Sequence, residues 1–271
     1  MREPHRSLVQ AATAVLEHRP EVAAAWLAGS LGRGDDDDVS DVDIHCAVHD
    51  GDYENVSASW LDLVNQIGPT IMRRALPGPR GLVILAVTPT WMRYDLALFR
   101  RSEVEAPYAA VQILFDRDGV SPLLTAPAES SAPVPAEHIV ATIEEFLRCM
   151  GLLVVVTKRG EWLSAHRGTT ATWDLLVTLM QAEMVPEDRS GAKRFNRKLT
   201  AEQRAVLEAL PPATPTALGV TALNIALARA FLPRARSLCS ARDIPYPEGF
   251  ETATLQYLND ALGLVIDIPE A

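Results

Sequence analysis

Cysteine, long apolar runs and excess positive charge are scarce or missing in this sequence, and each scarcity excludes something. The three cysteines, Cys46, Cys149 and Cys239, are odd in number and widely spaced over 271 residues. They form neither a disulfide framework nor a zinc pattern, so reduced, buried thiols are expected. The longest strongly apolar run, MGLLVVVT, falls well short of the ~20 residues a bilayer demands, and no membrane partner is expected. The opening MREPHRSLVQ lacks the apolar stretch of a secretory leader, which predicts a cytoplasmic chain. Lys and Arg number 25 against 35 Asp and Glu, giving a net charge of −10. That balance disfavours an extended nucleic-acid partner and suits a small, cationic one.

What is present is enough apolar material, 48% of residues, for one large domain or two of ordinary size. Leu8, Val9, Ala12, Val15 and Leu16 recur at helical spacing and predict a helix over 6–18, ended by Pro20. EVAAAWLAG reads as a buried strand, and DVDIHCAV alternates polar and apolar side chains from Asp41, as a strand with one face in a core does. A helix over 52–66, strands over 82–87 and 92–99 joined by TPT, and a fifth strand in VQILFDRDG complete this half. The Pro-, Ser- and Ala-rich stretch SPLLTAPAESSAPVPAEH then reads as a crossing between two structural units. Beyond it the apolar period is helical: Ile139, Ile143, Phe146, Leu147, Met150 and Val154 mark one face, and Trp173, Leu176, Val177 and Met180 another. Thr200 with Gln203 forms a capping-box pattern, and Leu255, Leu258 and Leu262 stripe a last helix. The expected fold class is α+β, with a strand-dominated domain over 1–122 and a helical bundle over 136–271.

The most informative stretch is WLAGSLGRGDDDDVSDVDIHCAV, which holds six aspartates in nine positions between two apolar strands. Side chains two apart on a strand share a face about 7 Å apart, so Asp41 and Asp43 project together. Two carboxylates that close repel each other, and they persist only where a cation or water screens them. Magnesium suits the pair, because it takes one or two carboxylates and completes its shell with water and substrate phosphates. A third acid would make a two-ion site for phosphoryl transfer, and Asp95, a charge inside the apolar strand WMRYDLALF, is the candidate, also as the base that takes a hydroxyl proton. Gly29 and Ser30 close the preceding strand in a turn where a backbone without Cβ, a hydroxyl and amides can meet a phosphate.

Gly29-Ser30, a ten-residue spacer, Asp41-Val42-Asp43-Ile44 and a later strand acid together resemble the signature of the DNA polymerase β nucleotidyltransferase superfamily. More narrowly they resemble its small bacterial branch that modifies aminoglycosides and lincosamides. The resemblance implies a mixed sheet for the first domain. It implies transfer of a nucleoside monophosphate, AMP from ATP in the leading version, to a hydroxyl of a small molecule, with two magnesium ions and release of pyrophosphate. It implies Asp41, Asp43 and Asp95 as metal ligands, Asp95 as catalytic base, and Gly29, Ser30 and Arg33 as nucleotide contacts. The same chemistry on a protein or a tRNA, and a nucleotide-binding regulator without catalysis, are the alternatives.

Other charged positions carry two readings each. In GAKRFNRKL, Lys193 and Arg197 are either cations folded over the triphosphate or a solvated helix start. Glu161 and Glu183 are candidates for an acceptor pocket, against ordinary surface glutamates. Asp35 to Asp38 read as a solvated, mobile loop whose field would draw a polycation, and His45, on the face of the two acids, reads as packed. FDRDG, too short for a calcium loop, reads as a strand end. The sequence fixes neither the acceptor nor the oligomeric state.

Overall fold

The computed structural model describes residues 1, 3–78, 80–105, 110–124, 133–184 and 192–268, without the side chains of 192–194. It divides into two compact units, Met1–Ser130 and Ser131–Ala271. Within the first, α1 (Glu3–Glu17), β1 (Val22–Leu27), α2 (Gly29–Arg33), β2 (Val42–Val48), α3 (Tyr53–Ile67), β3 (Met72–Gly78), β4 (Gly81–Val87), β5 (Arg93–Arg100), β6 (Gln112–Asp116) and α4 (Ser121–Leu124) follow in order. The six strands make one sheet in the order β3-β4-β5-β2-β1-β6. β2 and β5 pair in parallel while every other pair is antiparallel, so the sheet is mixed.

Alternation decides which face each strand buries. Val42, Ile44 and Cys46 of β2 and Tyr94, Leu96 and Leu98 of β5 pack into one core with Val9, Ala12 and Leu16 of α1 and Val56, Trp60, Leu63 and Val64 of α3. Trp60 Nε1 donates to the Leu96 carbonyl at 3.3 Å, which pins α3 across the strand that carries Asp95. On the opposite face a smaller core gathers Ala24, Trp26, Ala47, Val104, Val120 and Leu124, with Phe99 against it. That face is the one left to Asp43, His45 and Asp95.

β3 was not foreseen from the sequence, because MRRALPG shows no alternation. It lies at the sheet edge with Met72 to Ala75 all exposed, so no face of it had to be apolar, and an edge strand tolerates Pro77. FDRDG closes β6 as expected. Asp116 Oδ1 accepts from the Val120 amide at 3.0 Å, and Oδ2 accepts from the Ser121 amide at 2.9 Å and hydroxyl at 2.6 Å. Burial pushes this carboxyl up, but the hydrogen bonds from Ser121, Val120 and Asp118 together outweigh it and hold the group down at about 2. A carboxyl depressed below its unfolded value stabilises the fold above pH ~4, and that stability is lost as pH falls from about 4 towards 2. With discount for its partial exposure, Asp116→Asn is expected to cost about 1 kcal/mol at pH 7, and less at pH 3. Urea midpoints of both proteins at the two pH values check it.

The second unit is helical: α5 (Ala136–Arg159), α6 (Trp162–Ala182), α7 (Ala201–Glu208), α8 (Ala217–Ala241) and α9 (Glu248–Leu262), with a 3₁₀ stretch at Ala192–Lys198. Its core runs through Ile143, Phe146, Met150, Leu176, Met180, Leu227 and Phe231, the two phenyl rings stacked with centroids 3.8 Å apart. The capping box is present: the Thr200 hydroxyl accepts from the Gln203 amide at 3.1 Å, and the Gln203 side chain accepts from the Thr200 amide at 3.0 Å. α8 continues through Pro233. Of the Pro- and Ser-rich stretch, Ser121–Leu124 forms α4 and 125–132 lie outside the described residues. Among the described residues no helix is long and apolar enough to cross a membrane.

Candidate active site

The parallel register of β2 and β5 places Asp43 directly opposite Asp95, with Val42 opposite Tyr94 and Ile44 opposite Leu96. Register partners in a sheet point to the same face about 4.8 Å apart. The two carboxylates therefore stand side by side on the face away from α1 and α3, while Val42, Ile44, Tyr94 and Leu96 are buried on the other. Asp41 lies one residue before β2, half-buried, and alternation carries it to the same side. Among the described residues, no three acidic, histidine or cysteine side chains stand close enough to cage an ion by themselves.

Gly29 reaches this pair through its backbone. Its φ of 59° lies in the left-handed region, and a Cβ there would come within 3.0 Å of Asp43 Cγ and nearer still to Oδ2. Any side chain there would have to displace the Asp43 carboxylate. The chain is led there by β1, whose end is tied to β2 by the Ala28 amide donating to the Asp43 carbonyl at 3.0 Å. The expected tight turn is a short helical one, α2, with Ser30 half-buried in it. Gly29, Ser30, Asp43 and Asp95 are thus brought to one neighbourhood of the sheet.

His45 continues the acid face two residues beyond Asp43. Its ring meets Trp26 edge-on at 5.8 Å and Phe99 at 5.4 Å, and burial pushes its pKa down to about 4. It is a packed, neutral histidine at physiological pH, as its sequence context suggested.

The acidic run departs from the expected solvated loop. Arg33 stands 3.4 Å from Asp35, the chain's own amino group 3.6 Å from Asp36, and Asp37 accepts from the Val39 amide at 3.2 Å and the Ser40 hydroxyl at 2.9 Å. Two of its four carboxylates, Asp35 and Asp37, are engaged within the loop itself. Arg33 is engaged there as well.

The helical unit places the remaining candidates. Glu183 accepts both from Arg234, at 2.9 and 3.1 Å, and from the Gln203 amide group at 2.8 Å, so its carboxylate ties α6 to α7 and α8. Glu161 is exposed at the start of α6, and Arg197 is exposed in the 3₁₀ stretch. The side chain of Lys193 lies outside the described residues.

Sequence reasoning missed one feature of the turn that leads to Asp95. Trp91, in the β4–β5 turn, is 73% exposed and holds a φ of 63°, four residues before Asp95. Nothing in TPTWMR signals a left-handed backbone at a bulky residue.

No family model matches the chain, and no curated protein matches it. Two solved structures are similar to it over nearly its full length. An aminoglycoside 6-adenyltransferase from Bacillus subtilis is 14% identical with a TM-score of 0.39, over 95% of this chain and 98% of that one. A nucleotidyltransferase-like protein from Exiguobacterium sibiricum 255-15 is 13% identical with a TM-score of 0.36, over 94% and 88%. At these scores the likeness carries no weight on activity, which rests on the residues of the chain itself.

Proposed function

We propose that this protein is a magnesium-dependent nucleotidyltransferase that moves a nucleoside monophosphate, AMP from ATP in the first instance, onto a hydroxyl of a small molecule. One observation carries the reading: two aspartates from distant parts of the chain stand in register on adjacent parallel strands, with the Cβ-less backbone of Gly29 against one of them. A purely structural sheet has no use for paired like charges on a half-buried face.

The donor set fits hard cations. Asp41, Asp43 and Asp95 would hold them together with water and substrate phosphates, the shell that magnesium takes. Bound there, magnesium supplies charge stabilisation to the phosphate oxygens in the transition state. The chain's own groups do the rest. Gly29 and Ser30 seat the β- and γ-phosphates through backbone amides and a hydroxyl. Asp95 accepts the proton of the incoming hydroxyl as its oxygen bonds to the α-phosphorus. The bond from that phosphorus to the bridging oxygen breaks, and pyrophosphate leaves with the electron pair.

The test is labelled nucleotide transfer from ATP to a panel of small alcohols and antibiotics, with and without magnesium, read by mass analysis. An adduct one nucleoside monophosphate heavier, with pyrophosphate released in equal amount, is expected. Transfer that survives complete chelation of divalent ions would overturn the mechanism, and nucleotide binding without turnover on any acceptor would leave a regulator.

A further inference from the structure

A cavity of about 400 Å³ opens off the starts of β2 and β5, among the residues that lead into Asp41 and towards Asp95. Its wall is formed by Pro4 and His5 of α1, by Asp38, Val39 and Ser40 leading into Asp41, and by Thr90 to Arg93 leading into Asp95. Every part of it lies within the first compact unit. Within this wall Trp91 and Val39 are widely open to solvent, at 73% and 75% exposure. Arg93 donates to the Val39 carbonyl at 2.7 Å, which fixes the two halves of the wall to each other.

Trp91 is costly where it stands. A bulky residue at φ 63° is a true backbone outlier, and such strain persists where surrounding structure enforces it. The enforcement is visible: the Trp91 amide donates to the Thr88 carbonyl at 2.9 Å, and the Met92 amide to the Thr88 hydroxyl at 3.1 Å. The turn thereby holds an indole in water at a cavity mouth instead of folding it away.

A second observation sits in the wall itself. His5 is only 5% exposed, and its Nε2 lies 3.1 Å from the Ser40 carbonyl. A carbonyl only accepts, so Nε2 carries a hydrogen, and Nδ1 is buried without a partner among the described residues. Buried polar atoms without a partner are rare in native folds and call for water or a ligand.

Position decides what the cavity is for. In the sheet order β5-β2-β1, Gly29 and Ser30 follow β1 on one side of Asp43, and Arg93 and Trp91 precede Asp95 on the other. Attacking and leaving oxygens in phosphoryl transfer lie roughly in line across the phosphorus. With the leaving phosphates at Gly29 and Ser30, the hydroxyl arrives from the side of Asp95. Charge decides the class of compound. The wall sets one carboxylate, Asp38, against one guanidinium, Arg93, and Asp35 of the neighbouring run is paired with Arg33.

We infer that this cavity seats the acceptor, that Trp91 is the platform on which one of its rings stacks, and that it selects a ring-bearing alcohol of low net charge over a polycation. This rests on the nucleotidyl-transfer reading for the role of the bound molecule, though not for its binding.

The test is calorimetric titration of the full chain with three probes: an uncharged phenyl glucoside, a lincosamide with one basic nitrogen, and an aminoglycoside with several. The first two bind saturably, ATP does not displace them, and the aminoglycoside binds more weakly than either. Trp91→Ala weakens probe binding about tenfold or more, while Trp91→Phe retains it within about twofold. Trp91→Gly relieves the left-handed backbone, so its Tm holds or rises while binding is lost, which a merely structural tryptophan would not do. Binding unchanged in Trp91→Ala, no saturable binding by either low-charge probe, tighter binding of the aminoglycoside, or displacement by ATP each overturns the inference. Probe binding that depends on Trp91 while no acceptor is ever modified upholds the site and sinks the nucleotidyl-transfer reading instead.

Discussion

Asp43→Asn is expected to lower nucleotidyl transfer about a thousandfold or more while leaving the fold intact. The substitution keeps shape and removes charge. The backbone of Asp43 is held by β2 and β5 and by the Ala28 amide, none of which involve its side chain. The fold is therefore expected to survive the substitution, read as a retained cooperative urea transition. Asp95→Asn is expected to fall by a similar factor, and the double variant hardly further, because groups that serve one transition state do not contribute additively. Initial rates with saturating ATP and magnesium, beside circular dichroism of each variant, check this. Residual activity within tenfold of the parent in both single variants would remove the in-register pair from the mechanism.

The second large effect is expected at Gly29. An alanine there meets two penalties: about 1 kcal/mol or more for a non-glycine residue at positive φ, and a collision with the Asp43 carboxylate that only a shift of that carboxylate relieves. Gly34 separates the two. Its φ is 76°, but a Cβ there meets nothing within 4 Å. Gly34→Ala should lower Tm by the backbone term alone and keep its rate, whereas Gly29→Ala should lower Tm and cut transfer about a hundredfold or more. Equal rates in the two variants would mean that the approach of Gly29 to Asp43 has no functional weight.

Much of this arrangement was legible in the residues, and the exceptions share a physical cause. Alternation in DVDIHCAV gave β2 its two faces, because one face had to be apolar to pack on α1 and α3. The charge in WMRYDLALF gave Asp95 its side for the same reason. The edge strand β3 was illegible because Met72 to Ala75 are all exposed, so no buried face imposes a pattern. Pro233 is a helix breaker by local rules, yet α8 runs through it with Phe231, Leu232 and Ala235 all in the core, so tertiary burial overrode propensity. The acidic run misled for a related reason. Whether Asp36 meets water or the chain's amino group depends on where α1 begins in space, which no local window records. Trp91 reads as the start of a strand, and only coordinates reveal its backbone.

The parallel pairing of β2 with β5 also bears on how the molecule forms. These strands are separated in the chain by α3, β3 and β4, whereas β3-β4 and β4-β5 are antiparallel neighbours closed by short turns. Loop-closure entropy favours the local meander first and defers the long-range pairing. Mutual repulsion of the two aspartates is thus met late, when the nascent sheet already has enough structure to absorb it, and the chain is spared an acidic clash during its earliest collapse.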